Sequence, residues 1–221
     1  MQPAHREVSH NREAPRTKWA PLLVGAATVA AIIGGGAWLG IAEDRRQTRT
    51  DGLVVHRVEL SPQQSPRPIA AFAAPLPEEA PVIGVVAGDC ARAYSLDAFK
   101  DVEDHVLNDV LGGWPLTVTY CPQNGCARVF TSSRGSEPLD IAVGGWVGQP
   151  GPEPDVGSVM LLRIGFERYF QDTGESLGGT GEFPFQQSEP EKTTWGKWRS
   201  RHPETDVVVP AAEKQNRGAR P

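Results

Sequence analysis

The stretch that decides the fold runs from His105 to Phe130 and reads HVLNDVLGGWPLTVTYCPQNGCARVF. It joins the end of an apolar segment with helical spacing, a glycine pair at Gly112-Gly113, an alternating strand pattern and a turn flanked by Cys121 and Cys126. Two of the three cysteines and one of the five histidines lie in it. The main expected elements and the side chains best suited to chemistry therefore come from one stretch.

The segment before the glycine pair has the apolar spacing of a helix, which we place at about 96–111. Its apolar residues recur every three or four positions, as the buried stripe of a helix requires: Phe99, Val102, Val106 and Val110. Ser95 suits the N-cap, and Gly112-Gly113 would end the helix. On this helix His105 and Asp109 lie one turn apart, at the edge of the buried stripe.

Two strands are predicted after the helix, over 116–121 and 126–131, joined by the loop Pro-Gln-Asn-Gly. A hairpin closed by this loop places Cys121 opposite Cys126, with both side chains on the same side of the sheet. Outside the cytoplasm such a pair favours a disulfide, which would contribute roughly 2 kcal/mol in the chain-entropy model. The same two thiols, if reduced, are soft metal ligands.

The rest of the folded region alternates short strand patterns with glycine and proline loops. Strands are predicted at 82–87, 90–95, 139–147, 158–164 and 206–209. A short late helix at about 194–201 carries Trp195 and Trp198. The expected fold class is α+β, with a domain at 81–210 that is rich in antiparallel hairpins and has one main helix and one short late helix. One transmembrane helix is expected to precede it.

The N-terminal part has the pattern of a membrane-anchored protein. Residues 1–18 are polar and predict a disordered cytoplasmic tail. Residues 19–42 contain no charged residue and are long enough for a transmembrane helix, which takes roughly 20 apolar residues. Residues 43–80 contain many prolines and predict an extended stalk, with a short strand at 53–60 as the alternative. Residues 211–221 predict a second disordered tail.

The basic residues do not set the orientation, because similar numbers of them precede and follow the apolar segment 19–42. An N-terminal anchor ahead of the only folded domain usually exports that domain. We therefore expect a single-pass protein of the cell membrane, with a cytoplasmic N-terminus and an extracytoplasmic domain. Gly40-Ile41-Ala42 also has the form that a signal peptidase accepts, so cleavage after Ala42 stays open.

Motifs spread over 81–210 resemble one known family. They are Val82-Ile83-Gly84-Val85, Ala91-Arg92-Ala93-Tyr94, His105 with Asn108-Asp109, Gly112-Gly113, Val118-Thr119-Tyr120-Cys121-Pro122, Gln171, Gly174, Thr194-Trp195 with Trp198, and His202-Pro203. In this order they resemble the uncharacterised bacterial and archaeal family known as domain of unknown function 3179. The resemblance implies an exported or membrane-anchored protein and brings no established activity.

Two positions depart from the family pattern. The family usually has a glutamate directly after the histidine, where this chain has Val106. Its turn is usually Cys-Pro-x-Cys, whereas here Asn124 fills the second cysteine position and Cys126 follows two residues later. A metal or redox role based on the usual motif is therefore not carried over to this chain from the resemblance alone.

Cys121, Cys126 and His105 are the candidates for a thiol or metal site, with copper or zinc as the ion. Cys90 is a candidate fourth ligand, and Asp109 would orient the imidazole of His105. An alternative without metal makes His105 and Asp109 a base and its orienting partner, with Cys121 as a nucleophile. A disulfide between Cys121 and Cys126 excludes both arrangements.

Three further residues are candidates for lining a pocket. Arg92 and Tyr94 share one face of a predicted strand, and Gln171 lies beside two aromatic residues. Each also has a structural interpretation, as a paired strand residue or part of a capped loop. The glycine-rich segment 174–181 lacks the Gly-Lys-Ser/Thr of a phosphate-binding loop, which argues against nucleotide binding.

The sequence thus favours a membrane-anchored binding or accessory module without a cofactor, whose ligand or protein partner it does not name. The alternative is a protein that handles copper or zinc, or acts in thiol redox chemistry, through Cys121, Cys126 and His105. Whether the protein is an enzyme stays open. The formal charge of -5 argues against a general nucleic-acid binder.

Overall fold

The computed structural model of the protein describes residues 50, 52–64, 66–133, 135–151, 154–179 and 181–210. Within them the chain forms fourteen strands in three sheets and a single α-helix. The fold is therefore mostly β, and the predicted α+β class with a main helix is wrong.

The elements follow one another as short strands and turns. The strands are β1 Val54–Arg57, β2 Gln63–Gln64, β3 Ile69–Ala70, β4 Pro81–Ala87, β5 Cys90–Ser95, β6 Val106–Leu111, β7 Trp114–Cys121, β8 Cys126–Thr131, β9 Ala142–Gly148, β10 Val159–Ile164, β11 Glu167–Phe170, β12 Gln186–Ser188, β13 Glu191–Thr194 and β14 Asp206–Val208. The helix α1 is Trp195–Arg201, and 3₁₀ turns lie at Ala71–Ala73, Leu96–Phe99 and Val102–Asp104.

The strands pair mainly as antiparallel neighbours. The first sheet has the order β1-β9-β10-β11, the middle sheet β12-β8-β7-β6-β2, and the third sheet β13-β4-β5-β14-β3. The pairs β2–β6 and β5–β14 are parallel. Consecutive strands form five antiparallel pairs: β4–β5, β6–β7, β7–β8, β9–β10 and β10–β11.

The middle sheet is buried on both faces. One face packs against the third sheet in an apolar cluster that includes Leu107, Leu116, Val118, Ile83 and Tyr94. The other face packs against the first sheet in a cluster that includes Val106, Cys121, Phe130, Val143 and Met160. Because successive residues of a strand point to opposite faces, β6 and β7 contribute to both clusters. Helix α1 covers the third sheet with the buried Trp195 and Trp198.

The predicted main helix at 96–111 consists of two 3₁₀ turns followed by β6. Gly112 and Gly113, which we expected to end a helix, instead form the two-residue loop of the β6–β7 hairpin, with φ values of 58° and 81°. The prediction was wrong because β6 is buried on both faces. Such a strand shows no alternation of apolar and polar residues, so its apolar positions also fit the stripe of a helix.

The late helix and the cysteine hairpin are confirmed. Helix α1 spans Trp195–Arg201, and Thr194 occupies its N-cap position without a capping side-chain hydrogen bond. Strands β7 and β8 pair in the register that places Cys121 opposite Cys126. Local turn chemistry, which needs no knowledge of the rest of the fold, was sufficient for both predictions.

The segment predicted as a stalk contributes strands to all three sheets. Strand β1, within the alternative strand at 53–60, pairs with β9, while β2 pairs with β6 and β3 with β14. The predicted tails at 1–18 and 211–221 and the predicted transmembrane helix at 19–42 lie outside the described residues. Among the residues that the structure describes, no helix is long and apolar enough to cross a membrane.

Gly84 allows β4 to lie directly against the ring of Trp198. A Cβ atom at residue 84 would lie 2.2 Å from Cζ3 of Trp198. The indole is held in place because its Nε1 donates a hydrogen bond to Oγ1 of Thr205 at 2.9 Å. We expect Gly84→Ala to lower the free energy of unfolding, measured by urea titration, by about 1–3 kcal/mol, the usual cost of overpacking.

Gly178→Ala is the matched control, because a Cβ atom there would meet no neighbouring atom closer than 3.9 Å. We expect its free energy of unfolding to stay within about 0.5 kcal/mol of the wild type. An equal loss in both variants would contradict the clash with Trp198 as the cause.

Candidate functional site

A buried ion cluster joins the middle and third sheets. Oδ2 of Asp109 accepts hydrogen bonds from Nη1 of Arg92 at 2.7 Å and from the hydroxyl of Tyr94 at 2.6 Å. Arg92 also donates from Nε and Nη2 to the two carboxylate oxygens of Asp206, at 2.7 and 2.8 Å. The amide of Val110 donates to Oδ1 of Asp109 at 2.7 Å. The predicted pocket residues Arg92 and Tyr94 therefore bind Asp109 and tie two sheets together.

The charges in this cluster depend on one another, because the side chains of Arg92 and Asp109 are only 11% and 5% exposed. Burial acts to lower the pKa of Arg92, but hydrogen bonds to Asp206 and Asp109 outweigh burial and raise it. Burial, together with the charge of Asp109, raises the pKa of Tyr94 well above its ordinary value, so its hydroxyl stays a donor. Since Asp109 faces the third sheet, it does not form the predicted base-and-orienter pair with His105.

His105 and Cys121 line one small cavity between the first and middle sheets, which we call the inner pocket. Its volume is about 30 Å³, and strands β9 and β10 contribute Trp146 and Met160 to its wall. The amide of Tyr120 donates to the carbonyl of His105 at 3.0 Å, which holds His105 beside the end of β7. Burial lowers the pKa of His105, against the opposing effect of nearby carboxylates, so the imidazole favours its neutral form.

Cys121 and Cys126 lie opposite each other, but both are free thiols, as is Cys90. The predicted disulfide is therefore not supported. Cys121 is buried, and its Sγ donates a weak hydrogen bond to the carbonyl of Ser158 at 3.8 Å. Cys126 is half-buried, and burial raises the pKa of its thiol.

Gln171 is fully buried beside the cysteine hairpin. Its Nε2 donates to Oγ1 of Thr119 at 2.9 Å and to the carbonyl of Cys126 at 3.1 Å. Its Oε1 has no hydrogen-bond partner among the described residues. Gln171, predicted as a pocket residue, therefore ties the end of β11 to β7 and β8.

Cys90 lies at the end of the middle sheet opposite to the other two cysteines. Its Sγ would lie 3.1 Å from a Cβ atom at Gly112, in the loop before β7, whereas Cys121 ends that strand. A strand of this length spans roughly 25 Å, so Cys90 does not join His105, Cys121 and Cys126 as a fourth ligand. Within the described ranges, no three His, Cys, Asp or Glu side chains are grouped as a metal site would need.

A larger depression, which we call the acidic groove, has a volume of about 920 Å³. Its charged lining residues are Glu79, Asp97, Lys100, Asp101, Glu103 and Asp104. Its apolar lining residues are Pro75, Leu76, Pro77, Ala80, Pro81, Val209 and Pro210. Five carboxylates against one ammonium group give a formal charge of -4. Lys100 pairs with Asp97 at 3.0 Å.

The 3₁₀ turn Val102–Asp104 and the residues that flank it separate the two depressions. Val102 and His105 line the inner pocket. The acidic residues of the same segment line the groove: Asp101, Glu103 and Asp104. We therefore take this turn, with a depression on each side, as the candidate functional site.

The sequence pattern did not indicate three parts of this arrangement: Met160, Asp206 and the acidic groove. Met160 and Asp206 come from strands far along the chain, so only the tertiary fold places them beside Cys121 and Arg92. The sequence held one signal that could have drawn attention to Met160, which is the only methionine of the chain besides Met1. Two prolines of the groove wall, Pro75 and Pro77, belong to the segment that was predicted as a stalk.

Comparison with known proteins identifies the family of the chain but gives no activity. A family model described as "Protein of unknown function (DUF3179)" matches residues 62–220. No curated protein and no solved structure matches the chain. The matched range contains the inner pocket, the acidic groove and the ion cluster, and it confirms the resemblance seen in the sequence.

The ion cluster predicts a large stability effect for Asp109. We expect Asp109→Asn to lower the free energy of unfolding by roughly 2–4 kcal/mol in urea titrations, because Arg92 loses the charge of its buried partner and keeps only that of the half-buried Asp206. Lys100→Met is the control, since its pair with Asp97 is 71% and 59% exposed and is expected to contribute less than about 1 kcal/mol. Similar losses in both variants would show that the cluster is not a cohesive contact between the sheets.

Proposed function

Since the chain belongs to the DUF3179 family of proteins of unknown function, we propose its role from the geometry of its own surface. It is a binding module whose acidic groove accepts a positively charged, extended segment of a partner protein. The observation that carries this proposal is the combination of a formal charge of -4 with apolar, proline-rich walls in one groove of about 920 Å³.

The charge of the groove supports a cationic partner. Carboxylates gathered in a concave surface focus the electrostatic potential, which attracts and orients a basic ligand before contact is made. The acidic residues come from two separate segments, one at Glu79 and the other between Asp97 and Asp104. A basic segment lying in the groove would therefore meet carboxylates on more than one side.

The walls of the groove support a peptide more than a small ion. A volume of about 920 Å³ is far larger than one hydrated ion occupies and lies at the upper end of ordinary ligand pockets. Proline residues have a fixed φ angle, so walls built from Pro75, Pro77 and Pro81 lose little conformational entropy on binding. Their apolar rings also suit the aliphatic stems of lysine and arginine, whose charged ends reach the carboxylates.

We also propose that this module is tethered to a membrane and lies outside the cytoplasm. The support comes from the sequence alone, in the uncharged segment 19–42, which is long enough to span a bilayer. A tether of this kind would hold the groove near the membrane surface, where partners of an accessory module are concentrated.

The groove is tested by reversing its charge in the full chain. The double variant Glu79→Lys with Glu103→Lys changes the formal charge of the groove from -4 to 0, since each substitution adds two positive units. The probe is a fluorescent decapeptide of alternating lysine and proline, and its binding is measured by fluorescence anisotropy at low and physiological salt. We expect the affinity to fall at least about tenfold in the variant, and the wild-type affinity to fall with added salt.

The matched control is the double variant Glu137→Lys with Glu182→Lys, which makes the same change in net charge at exposed positions outside the groove. We expect it to bind the probe as the wild type does, within about twofold. A decapeptide of alternating glutamate and proline should not bind. Equal loss in the two double variants would show attraction by net charge alone and would refute the groove as the site.

The membrane tether is tested by expressing the full chain and a variant without residues 19–42 in a bacterial host. We expect the full chain to remain in the membrane pellet after alkaline carbonate extraction and the shortened chain to be soluble, because a single spanning helix resists this treatment. Protease added to spheroplasts should degrade the domain of the full chain. Extraction of both proteins by carbonate, or full protection from the protease, would contradict the tether or its orientation.

A further inference from the structure

Three metal-binding side chains line the inner pocket: the imidazole of His105, the thiol of Cys121 and the thioether of Met160. The pocket volume of about 30 Å³ is far below the roughly 300–1,000 Å³ of ordinary ligand pockets, so the pocket suits a small ion better than an organic ligand. Cys121 and Met160 are each only 3% exposed. The two sulfur atoms are thus held in a site that excludes bulk water.

Backbone contacts place the segments that carry the three donors. The hydrogen bond from the amide of Tyr120 to the carbonyl of His105 holds the backbone of His105 beside the end of β7. The contact of Cys121 with the carbonyl of Ser158 places its sulfur next to the start of β10, two residues before Met160. Met160 lies opposite Trp146 in the register of the first sheet, and the indole closes the same pocket. Cys121 and Met160 stand on strands β7 and β10, and His105 directly precedes strand β6, so all three donors belong to segments anchored in the sheets.

We propose that the inner pocket binds Cu(I) through His105, Cys121 and Met160. Thiolate and thioether sulfur are soft ligands, which select Cu(I) over harder ions. A structural zinc site takes four ligands from cysteine, histidine and carboxylate, and a thioether is not among them. Among the described residues that line the pocket there is no carboxylate, the ligand that magnesium and calcium require.

Binding exchanges a proton for the ion without any transfer of electrons. The thiol of Cys121 donates its proton toward the carbonyl of Ser158 in the present structure. When Cu(I) binds, the S–H bond breaks, its electron pair forms the Cu–S bond, and the proton leaves to the solvent. About one proton is therefore released for each ion bound.

This site differs from the pair of cysteines that the hairpin alone suggests. Cys126 lies opposite Cys121 but is not among the residues that line the pocket, and its place as a ligand is taken by Met160. The site is also independent of the acidic groove, which shares no lining residue with the pocket. Failure of one proposal leaves the other intact.

The test uses the purified full chain, kept reduced and free of oxygen, and titrated with Cu(I) in competition with a chromogenic Cu(I) chelator. We expect one ion per chain and a release of about one proton per ion in weakly buffered solution. Met160→Leu keeps the apolar volume but removes the donor. We expect this variant to bind Cu(I) at least about tenfold more weakly, since even the partners that only orient a ligand change metal affinity by about 10- to 100-fold.

Three cysteine variants separate the proposed site from other thiol chemistry. Cys121→Ser should lose Cu(I) binding and the proton release, whereas Cys126→Ser and Cys90→Ser should bind the ion within about twofold of the wild type. His105→Gln should weaken binding as Met160→Leu does. Circular dichroism and thermal unfolding of every variant show whether it has kept the fold, and Met160→Leu is the variant least expected to lose it.

Unchanged affinity in a folded Met160→Leu variant would overturn the proposal. Equal loss of binding in Cys121→Ser and Cys126→Ser would also overturn it, because the ion would then be held by the hairpin pair. A wild-type chain that fails to compete with the chelator, or that binds Zn(II) as tightly as Cu(I), would likewise refute a soft Cu(I) site.

Discussion

The burial of the middle sheet on both faces is the constraint on which the rest of the structure depends. In a sheet between two others, every buried polar side chain must find its hydrogen-bond partners within the protein, because water does not reach it. Strand β6 does so with two adjacent residues that point in opposite directions. Asn108, fully buried, donates to the carbonyls of Ile141 and Gln63 and accepts from the hydroxyl of Thr117. Asp109 turns to the other face and binds Arg92 of the third sheet.

These two residues give the packing its specificity. Apolar contacts alone tolerate sliding of one sheet over another, because the hydrophobic effect has no direction. Hydrogen bonds to Ile141 fix the middle sheet against the chain that leads into β9, and the ion cluster fixes it against β5 and β14. A shift of register by one residue would exchange Asn108 and Asp109 between the two faces and leave a charge without its partner.

The same double burial explains which parts of the fold and site were predictable. The cysteine hairpin has a local turn signal, and helix α1 has Trp195 and Trp198 at helical spacing, so both elements could be predicted from neighbouring residues. Strand β6 could not be predicted from neighbouring residues. Which of its side chains face each outer sheet is known only once the positions of those sheets are known. Within the site, His105 and Cys121 were proposed together as candidate ligands, and both line the inner pocket, although His105 was expected on a helix that is in fact two 3₁₀ turns and a strand. Met160 was not proposed as a ligand, because no feature of the neighbouring sequence indicates that β10 lies beside the end of β7.

The turn between the acidic groove and the inner pocket connects the packed core to the two depressions. Its backbone is held by hydrogen bonds from Asp104 to the carbonyl of Asp101, at 2.9 Å, and from His105 to the carbonyl of Val102, at 3.3 Å. The next strand, β6, is fixed in the core by Asn108 and Asp109. The backbone of the turn and of the strand that follows it is therefore fixed by hydrogen bonds. The two proposed binding sites therefore rest on one turn whose backbone is anchored in the core on the side of β6.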